Sequence, residues 1–278
     1  MRVFTSEDAL QKEAIRRKKR GERIGFVPTM GYLHSGHTSL LDVARKNCDW
    51  LVCSIFVNPL QFSPNEDLDQ YPKDESGDSS KCKEHGVDAL FRPTTLYDDD
   101  HSTFVNVHNL SKGLCGGSRP THFQGVTTVV AKLFGIVQPD FAVFGEKDYQ
   151  QLAIIRQMVK DLRLPIEIIG SPLVRDVDGL ALSSRNRYLS SEERVRALSI
   201  SKTLQWINTL VQQTEEVISV PTICKRATEL LQVDELDYLE IVDPITLRPL
   251  KLINGTARVL IAAWVGSTRL IDNLEIQR

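Results

Sequence analysis

No stretch of the 278-residue chain approaches the ~18 uninterrupted apolar residues of a membrane-crossing helix, so no membrane span is expected. Near the N-terminus there is no apolar core of a secretory signal, and Glu7, Asp8 and Glu13 make the segment more acidic than a transit peptide. The cytoplasm is the expected compartment. Cysteine pairs at metal-ligand spacing are also missing. Cys48, Cys53, Cys82, Cys115 and Cys224 are odd in number and include no C-x-x-C, which argues against a zinc site or a disulfide framework and fits a reducing environment. Net charge is small, formally −2, whereas a general nucleic-acid or anionic-membrane binder needs a basic face. The run Arg16-Arg17-Lys18-Lys19-Arg20 closes an amphipathic stretch before Gly21 and reads as cations at a helix C-terminus, favourable to its dipole. Asp98-Asp99-Asp100 reads as a solvated loop. With 41% apolar and 25% charged residues, the composition excludes disordered and fibrous classes.

What is present is a regular alternation. Through the first two thirds of the chain, short apolar runs alternate with helix-period segments, the pattern of a parallel sheet with crossover helices. Strands are expected over 24–27, 50–57, 89–91, 141–144 and 166–169. Phe123, Val126, Val130, Leu133 and Val137 recur three or four residues apart, as an inward helix face requires, and Leu152, Ile155, Val159 and Leu162 repeat that spacing over 149–162. Beyond about residue 170 the pattern changes. Ser190-x-x-Glu193 is a capping box for a helix to about 213, Pro221 opens another, and 237–242 and 256–265 alternate as strands. The fold class expected is therefore α/β: a Rossmann-like parallel sheet with crossover helices over 1–171, then a smaller α+β lid domain over 172–278, divided at Gly170-Ser171-Pro172.

Into this frame falls Pro28-Thr29-Met30-Gly31-Tyr32-Leu33-His34-Ser35-Gly36-His37, directly after an apolar strand and before a helix. Three residues apart at a helix start, His34 and His37 lie on one side, and Gly36 between them lets a phosphate chain approach backbone N–H groups. Such an arrangement suits an anion that is held and then cleaved. In an open parallel sheet the ligand crevice lies beyond the carboxyl ends of the strands, where segments 28–37, 58–61 and 145–151 are expected to converge.

Three more segments carry ligand-suited polar groups: Phe56-Val57-Asn58-Pro59-Leu60-Gln61-Phe62, Gly145-Glu146-Lys147-Asp148-Tyr149-Gln150-Gln151, and Asp178-Gly179-Leu180-Ala181-Leu182-Ser183-Ser184-Arg185-Asn186. With Tyr71-Pro72, His122-Phe123-x-Gly125-Val126 and Arg187-Tyr188-Leu189, they closely resemble the pantothenate synthetase (pantoate–β-alanine ligase) family over most of the first 190 residues. The last 90 resemble its second domain in length and pattern, with no specific motif.

The resemblance implies an ATP-dependent condensation of (R)-pantoate with β-alanine through pantoyl adenylate, releasing AMP and pyrophosphate. It implies catalytic parts for His37 (general acid), His34 and Lys147. To ATP it assigns Met30, Gly31, His34, His37, Gly145, Lys147 and Asp148, and also Val174, Leu182, Ser183, Ser184 and Arg185. To pantoate it assigns Gln61 and Gln151, with Asn58, Arg119 and His122, and it places Gln61 near β-alanine as well. The chemistry of the side chains agrees. In-line attack at phosphorus concentrates charge on oxygens, so the site needs positive donors more than a nucleophile of its own. Amides can donate to a carboxylate and accept from hydroxyls. The Ser183-Ser184-Arg185 loop resembles the mobile phosphate loop of the H-x-G-H nucleotidyltransferases, which suggests closure over bound ATP. Mg2+ is expected with ATP, without assigned protein ligands, and a homodimer is implied. Two departures stand out: Leu182 replaces a usual Met, a near-isosteric swap, and Tyr32 stands where a small residue is usual, leaving the shape of the ATP pocket open.

Two other functions compete. An adenylyltransferase acting on a phosphorylated acceptor needs extra cations there, whereas Asn58, Gln61 and Gln151 offer neutral amides. A catalytically dead nucleotide binder would need inactivation by something the sequence does not show.

Overall fold

The computed structural model describes residues 1–64, 66–214 and 219–278. In chain order the elements are β1 (Arg2–Phe4), α1 (Glu7–Lys19), β2 (Ile24–Thr29), α2 (Ser35–Arg45), β3 (Trp50–Ile55), α3 (Glu75–Glu84), β4 (Ala89–Phe91), α4 (Leu114–Ser118), α5 (His122–Val137), β5 (Phe141–Gly145), α6 (Tyr149–Asp161), β6 (Glu167–Ser171), α7 (Ser191–Gln213), α8 (Val220–Thr228), β7 (Glu235–Val242), β8 (Thr256–Val265) and β9 (Thr268–Gln277). They form two compact units. The first comprises residues 1–112, 119–146 and 151–172; the second comprises 113–118, 147–150 and 173–278.

The first unit is a six-stranded parallel sheet in the order β1-β4-β3-β2-β5-β6. Alternate residues of each strand face opposite sides. Ile24 and Phe26, Trp50 and Val52, and Ala142 and Phe144 pack with Leu10 and Ala14 of α1, Val126 and Val130 of α5, and Leu152 and Ile155 of α6. Val27, Leu51, Cys53, Phe141 and Val143 pack with Leu40, Leu41 and Ala44 of α2. A sheet covered on both faces explains why its strands read as continuous apolar runs. From β2 the chain winds outward through β3 to β4, then returns to lay β5 on the other side of β2. The order reverses between β2 and β5, and such a switch point opens a crevice at the carboxyl ends.

The second unit is an antiparallel sheet, β7-β8-β9. One face buries Ile241, Val259, Ile261 and Ala263 against Ala197, Ile200, Leu204 and Ile207 of α7 and Ile223 of α8. Its other face carries the two short segments that come from earlier in the chain.

Strand and helix positions agree with expectation to within two residues, except that four elements are additional, one of them the five-residue α4. β1 is three residues long and exists only by pairing with β4. α3 buries just Asp78 and Cys82, so it has no apolar stripe to read. β9 places buried Asp272 where alternation calls for an apolar residue and buries Asn273 on the opposite face. The basic run ends α1 as expected, with Arg16 and Arg17 bonded to Glu13, and Arg17 also to Glu22. All five cysteines are unbridged thiols. Among the described residues no helix is long and apolar enough to cross a membrane.

Candidate active site

At the carboxyl end of β2 the chain turns in a way few residues permit. Gly31 adopts φ +90°, and a Cβ there would lie 2.9 Å from Ile55 Cγ2 and 3.1 Å from an oxygen of Asp78. Tyr32 follows at φ 51°, a left-handed conformation costly for a non-glycine residue. Asp78 of α3 offsets that cost. Its buried carboxylate accepts the N–H groups of Tyr32 (2.9 Å) and Leu33 (2.7 Å), so a helix without an apolar stripe serves as the loop's anchor.

The loop delivers two histidines to the start of α2. His34 is the N-cap, and its Nδ1 accepts the Gly36 N–H at 3.1 Å. His37 Nδ1 accepts the His34 N–H at 3.3 Å, and the two rings lie 4.1 Å apart. A ring nitrogen that accepts from a backbone N–H carries no proton, so in each neutral imidazole the proton sits on Nε2. Both rings are thus set as Nε2–H donors. Of the backbone N–H groups at this helix start, that of Gly36 is taken by the His34 ring.

The second loop, after β3, is a single 3-10 turn at Pro59–Gln61. Asn58 caps it from a fully buried position. Its Oδ1 accepts from Leu60 N–H (3.3 Å) and Tyr97 O–H (2.8 Å), while its Nδ2 donates to Gln61 Oε1 (3.0 Å) and Gly125 C=O (3.1 Å). All four bonds of the amide are made within the protein. Asn58 was expected to touch pantoate, and the structure gives its bonding capacity to the turn instead. Gln61 Nε2 points at Met30 Sδ, 3.0 Å away, joining the first loop to the second.

Arg119 and His122, at the start of α5, converge on the same turn. Both reach the Gln61 carbonyl, Arg119 at 3.2 Å and His122 Nδ1 at 2.8 Å. The Arg119 guanidinium is also gripped by both oxygens of Glu66, at 2.6 and 2.5 Å. Burial opposes ionisation of Glu66, but the Arg119 fork outweighs it and holds the carboxyl below its ordinary value. A carboxylate so depressed stabilises the fold above its unfolded value of 4.5 and loses that contribution as the pH falls through the lower folded value. Glu66→Gln is therefore expected to cost about 1.5–3 kcal/mol at neutral pH, the range for charge-assisted bonds. Denaturant midpoints of the two proteins should differ at pH 7 and draw together below about pH 4.5, the value at which an unfolded glutamate titrates; an equal gap at both pH values would refute it.

Gly145 ends β5 in register with Ser171 of β6, and Gln151 lies half-buried in the first turns of α6. Met30, Gly31, His34, His37, Asn58 and Gln61 thus stand in two bonded loops at the carboxyl edge of the first unit, with Arg119 and His122 behind them.

The remaining assigned residues belong to the second unit. Lys147 Nζ lies 3.8 Å from Asp148 Oδ2, and the Lys147 carbonyl accepts from Asn273 Nδ2 of β9 at 2.9 Å. Asn273 Oδ1 in turn accepts from buried Arg258, whose guanidinium covers the Tyr149 ring at 4.0 Å. Val174 and Leu182 are neighbours through the bond from Leu182 N–H to Val174 C=O (3.0 Å). Bidentate Arg175 to buried Asp272 fixes that hairpin; burial pushes the Asp272 carboxyl up even against this partner. Ser183 Oγ caps the 3-10 turn Ser184–Tyr188 by accepting the Arg185 N–H at 3.3 Å. Sequence reasoning missed Asp78, Glu66, Tyr97 and Asn273, since each acts from a distant segment on a loop it does not belong to.

A parallel sheet with this switch point, and two histidines at the helix start after its second strand, defines an α/β protein built to hold an anionic ligand beyond the carboxyl ends of its strands. Comparison narrows that. The family model for pantoate-beta-alanine ligase matches residues 2–275. A pantothenate synthetase of Sulfurihydrogenibium sp. is 48% identical over 99% of this chain and all of its own length. The crystal structure of pantothenate synthetase from Thermus thermophilus superposes with a TM-score of 0.92 at 46% identity, covering 99% of both chains. A pantoate-beta-alanine ligase from Francisella tularensis, solved complexed with beta-gamma ATP and beta-alanine, gives 0.80 at 34% identity over 99% of this chain and 97% of that one. The chain belongs to the pantoate-beta-alanine ligase family.

Proposed function

We propose that this enzyme joins pantoate to β-alanine in two steps at the expense of ATP. A pantoate carboxylate oxygen attacks the α-phosphorus of ATP and pyrophosphate leaves. The β-alanine amine then attacks the acyl carbon, loses a proton and displaces AMP. The observation that carries this reading is the pair of histidines at the start of α2, fixed by the backbone as Nε2–H donors, in a chain that matches the family along its whole length. His37 serves as general acid towards the phosphate chain and His34 as a phosphate contact. Lys147 and Arg185 supply positive charge, Ser183 and Ser184 supply hydroxyl donors, and Met30, Gly31, Gly145, Asp148, Val174 and Leu182 complete the ATP contacts.

For pantoate, Gln61 and Gln151 are the direct partners. Asn58, Arg119 and His122 act on it through Gln61, whose side chain the first holds and whose carbonyl the other two hold. Gln61 also borders β-alanine. Mg2+ is expected to accompany the ATP phosphates, an ion that needs few protein ligands, and no residue is assigned to it. Bound there, the ion neutralises phosphate charge. The division at 171/172, the homodimer and the cytoplasmic setting belong to the same proposal.

AMP release that requires both pantoate and β-alanine is the direct test; AMP release without either acceptor would defeat the reading. Within it, Gln61→Ala and Gln151→Ala leave a substrate oxygen underpaired, at ~1–3 kcal/mol, so each should lower kcat/KM for pantoate by about 5- to 150-fold. A variant that worsens ATP dependence alone would show that its glutamine has been misassigned.

A further inference from the structure

An amide side chain can present either its NH2 or its C=O to a ligand, and the two ends recognise opposite groups. At Gln61 the backbone makes the choice, two steps removed. Asn58 Oδ1 lies against the Leu60 N–H and Asn58 Nδ2 against the Gly125 C=O. Those backbone groups have fixed character, so Asn58 has one orientation. Its second N–H must therefore meet an acceptor, which makes the facing atom of Gln61 the Oε1 at 3.0 Å. Gln61 is left with its NH2 outward, where the neighbouring acceptor is the Met30 thioether. A thioether accepts only weakly, so an oxygen of a ligand readily takes its place.

Tyr97 completes the chain. It lies beyond β4, and its O–H donates to the second lone pair of Asn58 Oδ1 at 2.8 Å. The Tyr97 ring packs on Phe56 and on the His101 ring, with centroids 6.3 and 4.8 Å away. Burial keeps the phenol protonated, hence a donor, at any physiological pH.

We propose that Tyr97 is a positioning residue for pantoate: by filling the second lone pair of Asn58 Oδ1 it holds in place the amide that the backbone orients, and so keeps Gln61 fixed as a double donor, so that this part of the site takes an oxygen acceptor and rejects a donor group. The proposal rests on the reading of Gln61 as a pantoate contact. Neither Tyr97 nor Asn58 touches substrate; each acts through the next amide.

The test is a double-mutant cycle by steady-state kinetics on wild type, Tyr97→Phe, Gln61→Ala and the double variant, with Tm recorded for each. Removing one hydrogen bond of ordinary strength should raise the pantoate KM by about 3- to 10-fold, with kcat and the ATP KM within about twofold of wild type and Tm little changed. In the Gln61→Ala background, Tyr97→Phe should have no further effect, because the amide it orients is gone. If Tyr97→Phe leaves the pantoate KM unchanged while Gln61→Ala raises it, the relay is overturned and the Gln61 assignment stands. The relay is equally overturned if Tyr97→Phe raises the pantoate KM as much without Gln61 as with it, or raises both KM values together with a fall in Tm. If Gln61→Ala itself leaves the pantoate KM unchanged, the assignment of Gln61 fails and takes the relay with it.

Discussion

Replacing His37 by alanine is expected to slow pyrophosphate release from ATP and pantoate by about 10²–10⁴-fold, the usual cost of losing a general acid. Wild type given these two substrates alone should release about one equivalent per site in a burst, since an acyl adenylate sheltered from water waits for the amine. The geometry leaves His37 with a proton to give. His37 Nδ1 is occupied by the His34 N–H, leaving Nε2 as the proton-bearing nitrogen. Alanine also removes a helix-capping bond, worth about 1 kcal/mol. His37→Gln separates the two effects, because glutamine at the third helical position can still reach back to the N-cap N–H but has no acid to offer. It should keep the Tm and lose the burst. A normal burst followed by slow amine transfer would move the histidine's part to the second step.

Lys147→Ala should depress turnover by about 10²–10³-fold, comparable with removing one preorganised donor from charge that develops in the transition state. Local collapse is not expected to confuse the result. The turn at Lys147 is held by its backbone carbonyl on Asn273 and by the adjacent Tyr149, whose O–H donates to the Pro244 C=O at 3.0 Å. Tm should therefore stay near wild type while kcat falls. Turnover close to normal would remove Lys147 from the phosphate contacts.

The two units differed in how openly the sequence declared them. Parallel strands buried on both faces leave apolar runs, and the groups that follow each run stand at one edge of the sheet, so 28–37 and 58–61 could be placed from the sequence alone. What stayed hidden was the layer that holds them. Asp78 lies 45 residues from the Leu33 N–H it accepts, and Tyr97 and Gly125 lie 39 and 67 residues from Asn58. No local periodicity carries such pairings. For the same reason Asn58 and Arg119 read as ligand contacts: an amide or a guanidinium in a motif shows what it can bond, while Tyr97 and Glu66, which do bond it, lie outside the motif.

Helix α5 meets the turn at Pro59–Gln61 with no side chain between them. A Cβ on Gly125 would fall 2.1 Å from the Leu60 carbonyl oxygen and 2.6 Å from the Gln61 nitrogen, both backbone atoms. No change of neighbouring side chain can make room, and the turn cannot back away without surrendering the Asn58 bond to Gly125's own carbonyl. Position 125 thus has an alphabet of one letter, and neutral drift is closed to it. For anyone seeking to retrain the enzyme on a bulkier acid, this wall cannot be remodelled one substitution at a time.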